Sequence, residues 1–254
     1  MSSQPLTASR ALEALSLGKM EMQGLLPWGS NYTFLVYMAH EELRLPAVYK
    51  PMRGERPLWD FPDGTLYKRE TAAYVVCSAL GWEFVPPTVC RDGVEGPGSV
   101  QYYVDVEPEA HYFNLKDEEK DPLKRVVAFD ILVNNADRKG GHVLRDSHGE
   151  LWAIDHGLCF HADPKLRTVL WDFASQSVPD DIIESLRKFR ALLNPPSDLL
   201  GLLEQLIDRD EVAALRRRTD RLIKQKCYPE PGPGRNYPWP RSLPSGSVIH
   251  RFAW

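Results

Sequence analysis

Apolar positions recur with two distinct periods along this chain, and the period changes near its middle. Leucines at helical spacing in Arg-Ala-Leu-Glu-Ala-Leu-Ser-Leu predict a short helix over residues 9–17. Lys19 to Gln23 and Tyr32 to Met38 alternate as strands do. Leu-Leu-Pro-Trp-Gly-Ser-Asn between them is rich in turn formers, so the pair predicts a hairpin. A third strand, Leu45 to Tyr49, ends in Lys50 and is stopped by Pro51. Residues 51–65 carry prolines, glycines and aromatics and predict a loop. Tyr67 to Leu80 returns to helical spacing, with Ala72, Ala73, Val76, Ala79 and Leu80 on one side and Gly81 as the stop. Val85 to Cys90 and Ser99 to Val106 predict strands around a Gly/Pro turn at 93–98.

After residue 107 helical periodicity dominates. Asp121 to Asn134 has a start signal in Asp121-Pro122 and an apolar stripe of Leu123, Val126, Val127, Phe129, Ile131 and Val133, with Asp130 inside it. Val143-Leu144 and Leu151 to Ile154 predict a short hairpin around Asp146-Ser147-His148-Gly149. Three more helices are expected at 180–193, 197–208 and 210–226, before a Pro/Gly-rich irregular tail over 228–254. The order predicts an α+β fold of two lobes with a cleft between them: a β-rich first lobe, residues 1–107, and a mostly helical second lobe, residues 108–227.

Composition narrows the class. With 254 residues, 43% hydrophobic and 26% charged, the chain is long enough for a full core and ordinary for a globular protein. A net charge of -4 argues against a dominant nucleic-acid surface. Cys77, Cys90, Cys159 and Cys227 are scattered, as in a reducing compartment. The first residues lack the apolar stretch of a signal peptide, and no apolar run approaches the roughly 18 residues of a membrane span. The expectation is a cytoplasmic protein without a transmembrane segment. Trp28, Trp59, Trp82, Trp152 and Trp171 read as packing residues, and Arg216-Arg217-Arg218 as a solvated helix face.

The candidate chemistry lies in Asp137-Arg138-Lys139-Gly140-Gly141-His142 and Ala153-Ile154-Asp155-His156-Gly157-Leu158, two turn-flanked aspartates joined by a hairpin-sized spacer. Phosphoryl transfer needs a phosphate-covering loop, a neutralising lysine, an acid to fix it, an acceptor-orienting Asp and metal ligands. Gly29, Ser30 and Asn31 at the hairpin tip, Lys50, Glu70, Asp137, Lys139 and Asp155 supply them in that order. His142, five residues past Asp137, stands where a second metal ligand belongs.

These segments resemble the phosphatidylinositol 3- and 4-kinase superfamily, relatives of the protein kinases. Asp137 to His142 resembles its Asp-Arg-x-x-x-Asn catalytic loop, and Ile154-Asp155-His156-Gly157 its Ile-Asp-x-Gly metal motif, most like the type II 4-kinase version. Tyr49-Lys50-Pro51, Arg56 to Trp59, Glu70 to Tyr74 and Gly96 to Gln101 resemble uncharacterised actinobacterial proteins of that class. The resemblance implies a bilobal protein-kinase-like fold with ATP in the cleft and adenine against a hinge near Tyr103 to Val106, so Gln101, Tyr103 and Val104 become nucleotide-site candidates. It implies Asp137 as catalytic base, with Arg138 and Lys139 beside it. Lys50 would hold phosphates with Glu70 behind it, and Asp155 and His142 would be ligands to Mg2+ or Mn2+. His142 departs from the superfamily's asparagine, and imidazole suits softer metals than magnesium.

No basic membrane-facing cluster marks a lipid kinase, so a protein or small-molecule acceptor is expected. Two other readings stand beside a phosphotransferase. One is a nucleotide-binding pseudokinase or nucleotidyltransferase-like module. The other is a metal-dependent hydrolase built on His142, His148, His156 and His161.

Overall fold

The computed structural model describes residues 6–26, 31–107 and 109–238. Helix α1 (Ala8–Leu17) is capped by the Thr7 hydroxyl, which accepts from the Arg10 amide. It leads into β1 (Lys19–Leu25), β2 (Phe34–His40) and β3 (Leu43–Pro51), an antiparallel meander. Helix α2 (Leu66–Ala79) follows, then β4 (Thr88–Gly93) and β5 (Gly96–Tyr102). The five strands form one sheet in the order β1-β2-β3-β5-β4. Period-2 alternation sorts its faces. Ala47, Tyr49, Val36, Met38 and Val100 pack against Leu15 of α1. Lys50, one residue on from Tyr49, faces the other way, toward α2.

Three boundaries depart from the pattern along the chain, each for a local reason. Pro86-Pro87 donates no backbone hydrogen, so β4 begins at Thr88 and not at Val85. The expected turn at 93–98 contracts to Val94-Glu95, because Gly93 pairs with Gly96 and Pro97 with Asp92. Pro97 fits because β3 pairs with β5 only from Gly98 onward, leaving it no second ladder partner. The last strand of this sheet, β5, stops at Tyr102, and residues 103–106 run on without strand pairing.

Helix α3 (Leu123–Val133) starts after Pro122 and ends at Asn134, whose φ of 56° and ψ of 51° place it in the left-handed C-cap conformation. Hairpin strands β6 (Val143–Arg145) and β7 (Leu151–Ala153) follow, and then helices α4 (Asp180–Leu192), α5 (Asp198–Leu206) and α6 (Arg209–Gln225). A core running through α2, α3, α4, α5 and α6 includes Phe129, Leu132, Leu186, Phe189 and Leu215, all fully buried. Side chains of this size contribute about 1.5–3 kcal/mol each on burial.

The two lobes are tied by charge as well as by packing. Arg69 of α2 is 2% exposed; its guanidinium donates to Glu211 of α6 at 2.8 Å and to the Cys159 carbonyl at 2.7 Å. Two arginines read as solvated are not. Arg218 donates to the Leu132 carbonyl at the end of α3, and Arg216 to the Leu193 carbonyl. Both satisfy carbonyls that helix ends leave open; Arg217 is exposed. The tail is irregular yet held in place over its described part. Tyr228 is buried and its hydroxyl donates to the Lys124 carbonyl, while the Asn236 carbonyl accepts from the Thr168 amide and the Trp171 indole. Trp82 lies in the core, but Trp59 is 92% exposed. Leu58 and Phe61 fill the inward positions of its loop, leaving Trp59 outward, with the Lys165 ammonium over its ring. Trp28 lies outside the described residues.

Candidate active site

The catalytic-loop candidate is built from inside the core outward. Asp130, the one carboxylate in the apolar stripe of α3, is 1% exposed. Arg138 is 0% exposed and grips it in a fork, Nε and Nη2 each at 2.9 Å from one carboxylate oxygen. The same guanidinium donates to the Ile154 carbonyl at 2.7 Å and lies 2.7 Å from His156 Nε2. Burial and this cation hold His156 well below the usual histidine range, so its imidazole is neutral and accepts the Arg138 hydrogen. Asn135 completes the frame, donating to Asp130 and accepting from the Asp137 amide. With all its reach spent inside, Arg138 presents nothing to the cleft.

Backbone bonds then join the two aspartate segments. Ala136 N–H donates to the Leu158 carbonyl and Ile154 N–H to the His142 carbonyl. Asp155 sits at φ 59°, a conformation that costs a non-glycine residue and is found where surrounding structure over-determines the backbone. It places the carboxylate across from Lys50, whose Nζ is 2.5 Å from Glu70 Oε1 and 3.0 Å from Asp155 Oδ1. Glu70 Oε2 accepts from the His156 amide at 2.8 Å. Burial opposes the charge on Lys50, but Asp155 and Glu70 overcome it and hold the ammonium above its ordinary range. Burial likewise works against the Asp155 carboxylate, and the ammonium groups of Lys50 and Lys139 outweigh it, leaving Asp155 ionised.

Asp137 lines the same cavity, of about 180 Å³, with Lys139 Nζ 2.8 Å from its Oδ2. Burial raises its carboxyl above the ordinary value, against the pull of Lys139. His142 is 0% exposed, and its Nε2 stands 3.3 Å from Asp155 Oδ2 without the alignment of a hydrogen bond. Its Nδ1 has no partner either. Desolvation holds its imidazole neutral, with a pKa lowered to about 3. A buried neutral imidazole with a free nitrogen beside a carboxylate has the donor chemistry of a divalent-metal site, set just behind the cavity lining, which does not include His142. Among the described residues no group of three or more His, Cys, Asp or Glu could hold a metal ion. His148 is exposed in the hairpin turn and His161 accepts from the Asp163 amide, so among the described residues the histidines form no zinc cluster.

Of the remaining candidates, Asn31 lines the cavity and its Oδ1 accepts from the Arg56 amide; Gly29 and Ser30 lie outside the described residues. Gln101, Tyr103 and Val104 do not line this cavity. The Gln101 amide donates to Thr88 Oγ1, the Tyr103 amide to the Pro46 carbonyl, and Val104 is buried. The pattern along the chain passed over two contributors. Glu55 accepts from the Leu66 and Tyr67 amides and so caps α2, whose N-cap Thr65 makes no such bond. Gly54 lets the loop close on the hairpin, for a Cβ there would stand 2.7 Å from that of Tyr32.

The sequence is 39% identical over 261 residues to Protein Rv2133c of Mycobacterium tuberculosis, an alignment covering 89% of this chain and 93% of that one. The chain belongs to the Rv2133c family. No family model matches it. Solved structures place this member of the Rv2133c family in a wider fold group. The Golgi casein kinase superposes with a TM-score of 0.52 at 18% identity, covering 88% of this chain and 75% of that one. The same kinase with Mn and ADP bound gives 0.50 at 17%, over 85% and 74%. The Helicobacter pylori proinflammatory kinase CtkA gives 0.52 at 12%, over 84% and 94%. At these identities the likeness establishes the fold, which is bilobal and kinase-like. Among the described residues no helix is long and apolar enough to cross a membrane.

Proposed function

We propose that this protein is an ATP- and divalent-metal-dependent phosphotransferase related to the phosphatidylinositol 3- and 4-kinase-like superfamily. One observation carries the reading: Lys50, Glu70, Asp137 and Asp155, from four separate segments, converge on one cavity with an ion pair at 2.5 Å behind it. Solved kinases of this fold, one of them holding Mn and ADP, support it. In this reading Asp137 takes the proton of the acceptor hydroxyl at its carboxylate, and its raised pKa brings it closer to the operating range of a base. Lys50 holds phosphate oxygens, fixed in place by Glu70. Lys139 lies where charge on the transferring phosphoryl group gathers. Arg138 positions the loop from beneath. Asp155 and His142 would hold a divalent metal, which would supply neutralisation of phosphate charge there.

Calorimetric titration with ATP tests this, run with Mn2+ and with Mg2+. We expect tighter binding with Mn2+, because His142 replaces an oxygen donor with nitrogen, and an evening-out of the two in His142→Asn. Asp137→Asn should bind nucleotide, keep its melting temperature and lose transfer by about 10²–10⁴-fold. Failure of ATP to bind with either metal, or wild-type transfer by Asp137→Asn, would sink the reading. The second reading, a nucleotide-binding module without phosphoryl transfer, draws on His142 alone; binding with no transfer product would select it.

A further inference from the structure

The cavity that holds Lys50 and Asp137 shares part of its lining with a second one of about 360 Å³, walled also by Met52, Pro57, Phe61, Pro62, Gly64 and one carboxylate, Asp63. Glu55, Arg56, Leu58 and Leu66 line both. Three basic side chains border the first cavity. Two are already committed, Lys50 to Glu70 and Asp155, and Lys139 to Asp137. The neighbouring carboxylate Glu55 is committed to the α2 amides. Arg56 is exposed, and its guanidinium has no partner among the described residues. Its backbone is fixed, with its amide held by Asn31 Oδ1 at 2.9 Å and the Tyr32 amide bonded to the adjacent Gly54 carbonyl. A cation anchored by its main chain at the border of two cavities, with its fork unspent, is suited to bidentate capture of phosphate or carboxylate. The second cavity contains neither Lys50 nor Asp155, so an anion held from that side is separate from the nucleotide phosphates.

We infer that Arg56 recognises the acceptor, and that the acceptor is a small hydroxyl compound carrying a phosphate or carboxylate. This rests on the phosphotransferase reading and names the substrate class of that site. The second cavity, of about 360 Å³, is of the size that takes a small metabolite.

Two measurements test it. The first compares transfer from ATP to matched acceptors, glycerol against glycerol 3-phosphate and glycerol against glycerate, with a serine peptide flanked by glutamates against one flanked by glutamines as a further arm. We expect the anionic small molecules to exceed glycerol by tenfold or more in kcat/KM. Arg56→Ala should abolish that preference through KM, and Arg56→Lys should retain part of it. The second is calorimetric binding of glycerol 3-phosphate and glycerate, in the presence of a non-hydrolysable ATP analogue, to wild type and Arg56→Ala. Loss of binding in the variant supports the inference. Equal binding to both overturns it, as does an equal weakening of ATP and acceptor in Arg56→Ala, or a preference confined to the acidic peptide. Wild type that binds ATP but transfers to nothing counts against the phosphotransferase reading alone, since the binding measurement needs no turnover.

Discussion

The rear and front walls of the cavity are built by opposite means. At the rear, Arg138, Asp130, Asn135 and His156 are all at most 1% exposed and satisfy one another inside the core. At the front, the loop after β3 hangs on a few bonds from side chain to main chain, Glu55 to α2 and Asn31 to Arg56, with Trp59 in solvent. Buried charge gives the rear wall one arrangement, because any other leaves an ion without a partner in a low-dielectric interior. The front wall has no such penalty, and its exposed groups are free to meet a ligand. In the proposed reading, the catalytic loop rests on the rigid side and the acceptor-binding Arg56 on the adaptable one.

Breaking the rear wall should have the largest effect. Arg138→Met leaves Asp130 buried and unpaired, a loss on the order of 3–5 kcal/mol. That is a large part of the stability of a domain, and a drop in melting temperature on the order of 10 °C would register it. A shift of only a degree or two would mean that the network is not what holds the loop.

A smaller effect is expected beside that wall, at the β6–β7 turn. Asp146 accepts from the His148 and Glu150 amides and from the Trp152 indole. Partial burial works to raise its carboxyl, but these donors outweigh it and the net direction is down. A lowered folded-state pKa means that the stabilisation is present above the unfolded value near 4 and is lost as pH falls through and below it. Asp146→Asn should therefore cost at most about 1 kcal/mol at pH 7. The gap from wild type should close below about pH 4, read as melting temperature against pH; a gap constant with pH would contradict the ionised role.

The smallest effect belongs to the front. Trp59→Ala should change stability by no more than about 0.5 kcal/mol, checked by urea unfolding, since the side chain is 92% exposed and gives up a cation–π contact with Lys165. A cost above 2 kcal/mol would erase the contrast between the two walls.

Much of this was legible along the chain where local chemistry decides. The period of 3.6 in Leu123 to Val133, and the hairpin at 143–154, lay within a few residues of the observed elements. The Asp137 and Asp155 segments were legible as spacing. Their frame was signalled faintly by Asp130, a carboxylate inside an apolar stripe, but its partner Arg138 reads equally well as a group facing substrate. Only the folded chain reveals that the guanidinium turns inward. Glu55 gave no signal, and Arg56 only as the first residue of a segment of resemblance, because their roles come from contacts with α2 and with the β1–β2 connection rather than from local periodicity. Trp59 misled for the related reason that aromatic character says nothing about which side of a loop a residue takes.

The guanidinium of Arg69 has a last consequence. It sits one residue before the glutamate that steadies Lys50, and it is bolted to α6 and to the Cys159 carbonyl. Swinging α2 outward would strand that cation and Glu211 in the interior, at a cost of several kcal/mol. The helix is a fixed post rather than a lever, and Glu70 keeps its place beside Lys50 because of it.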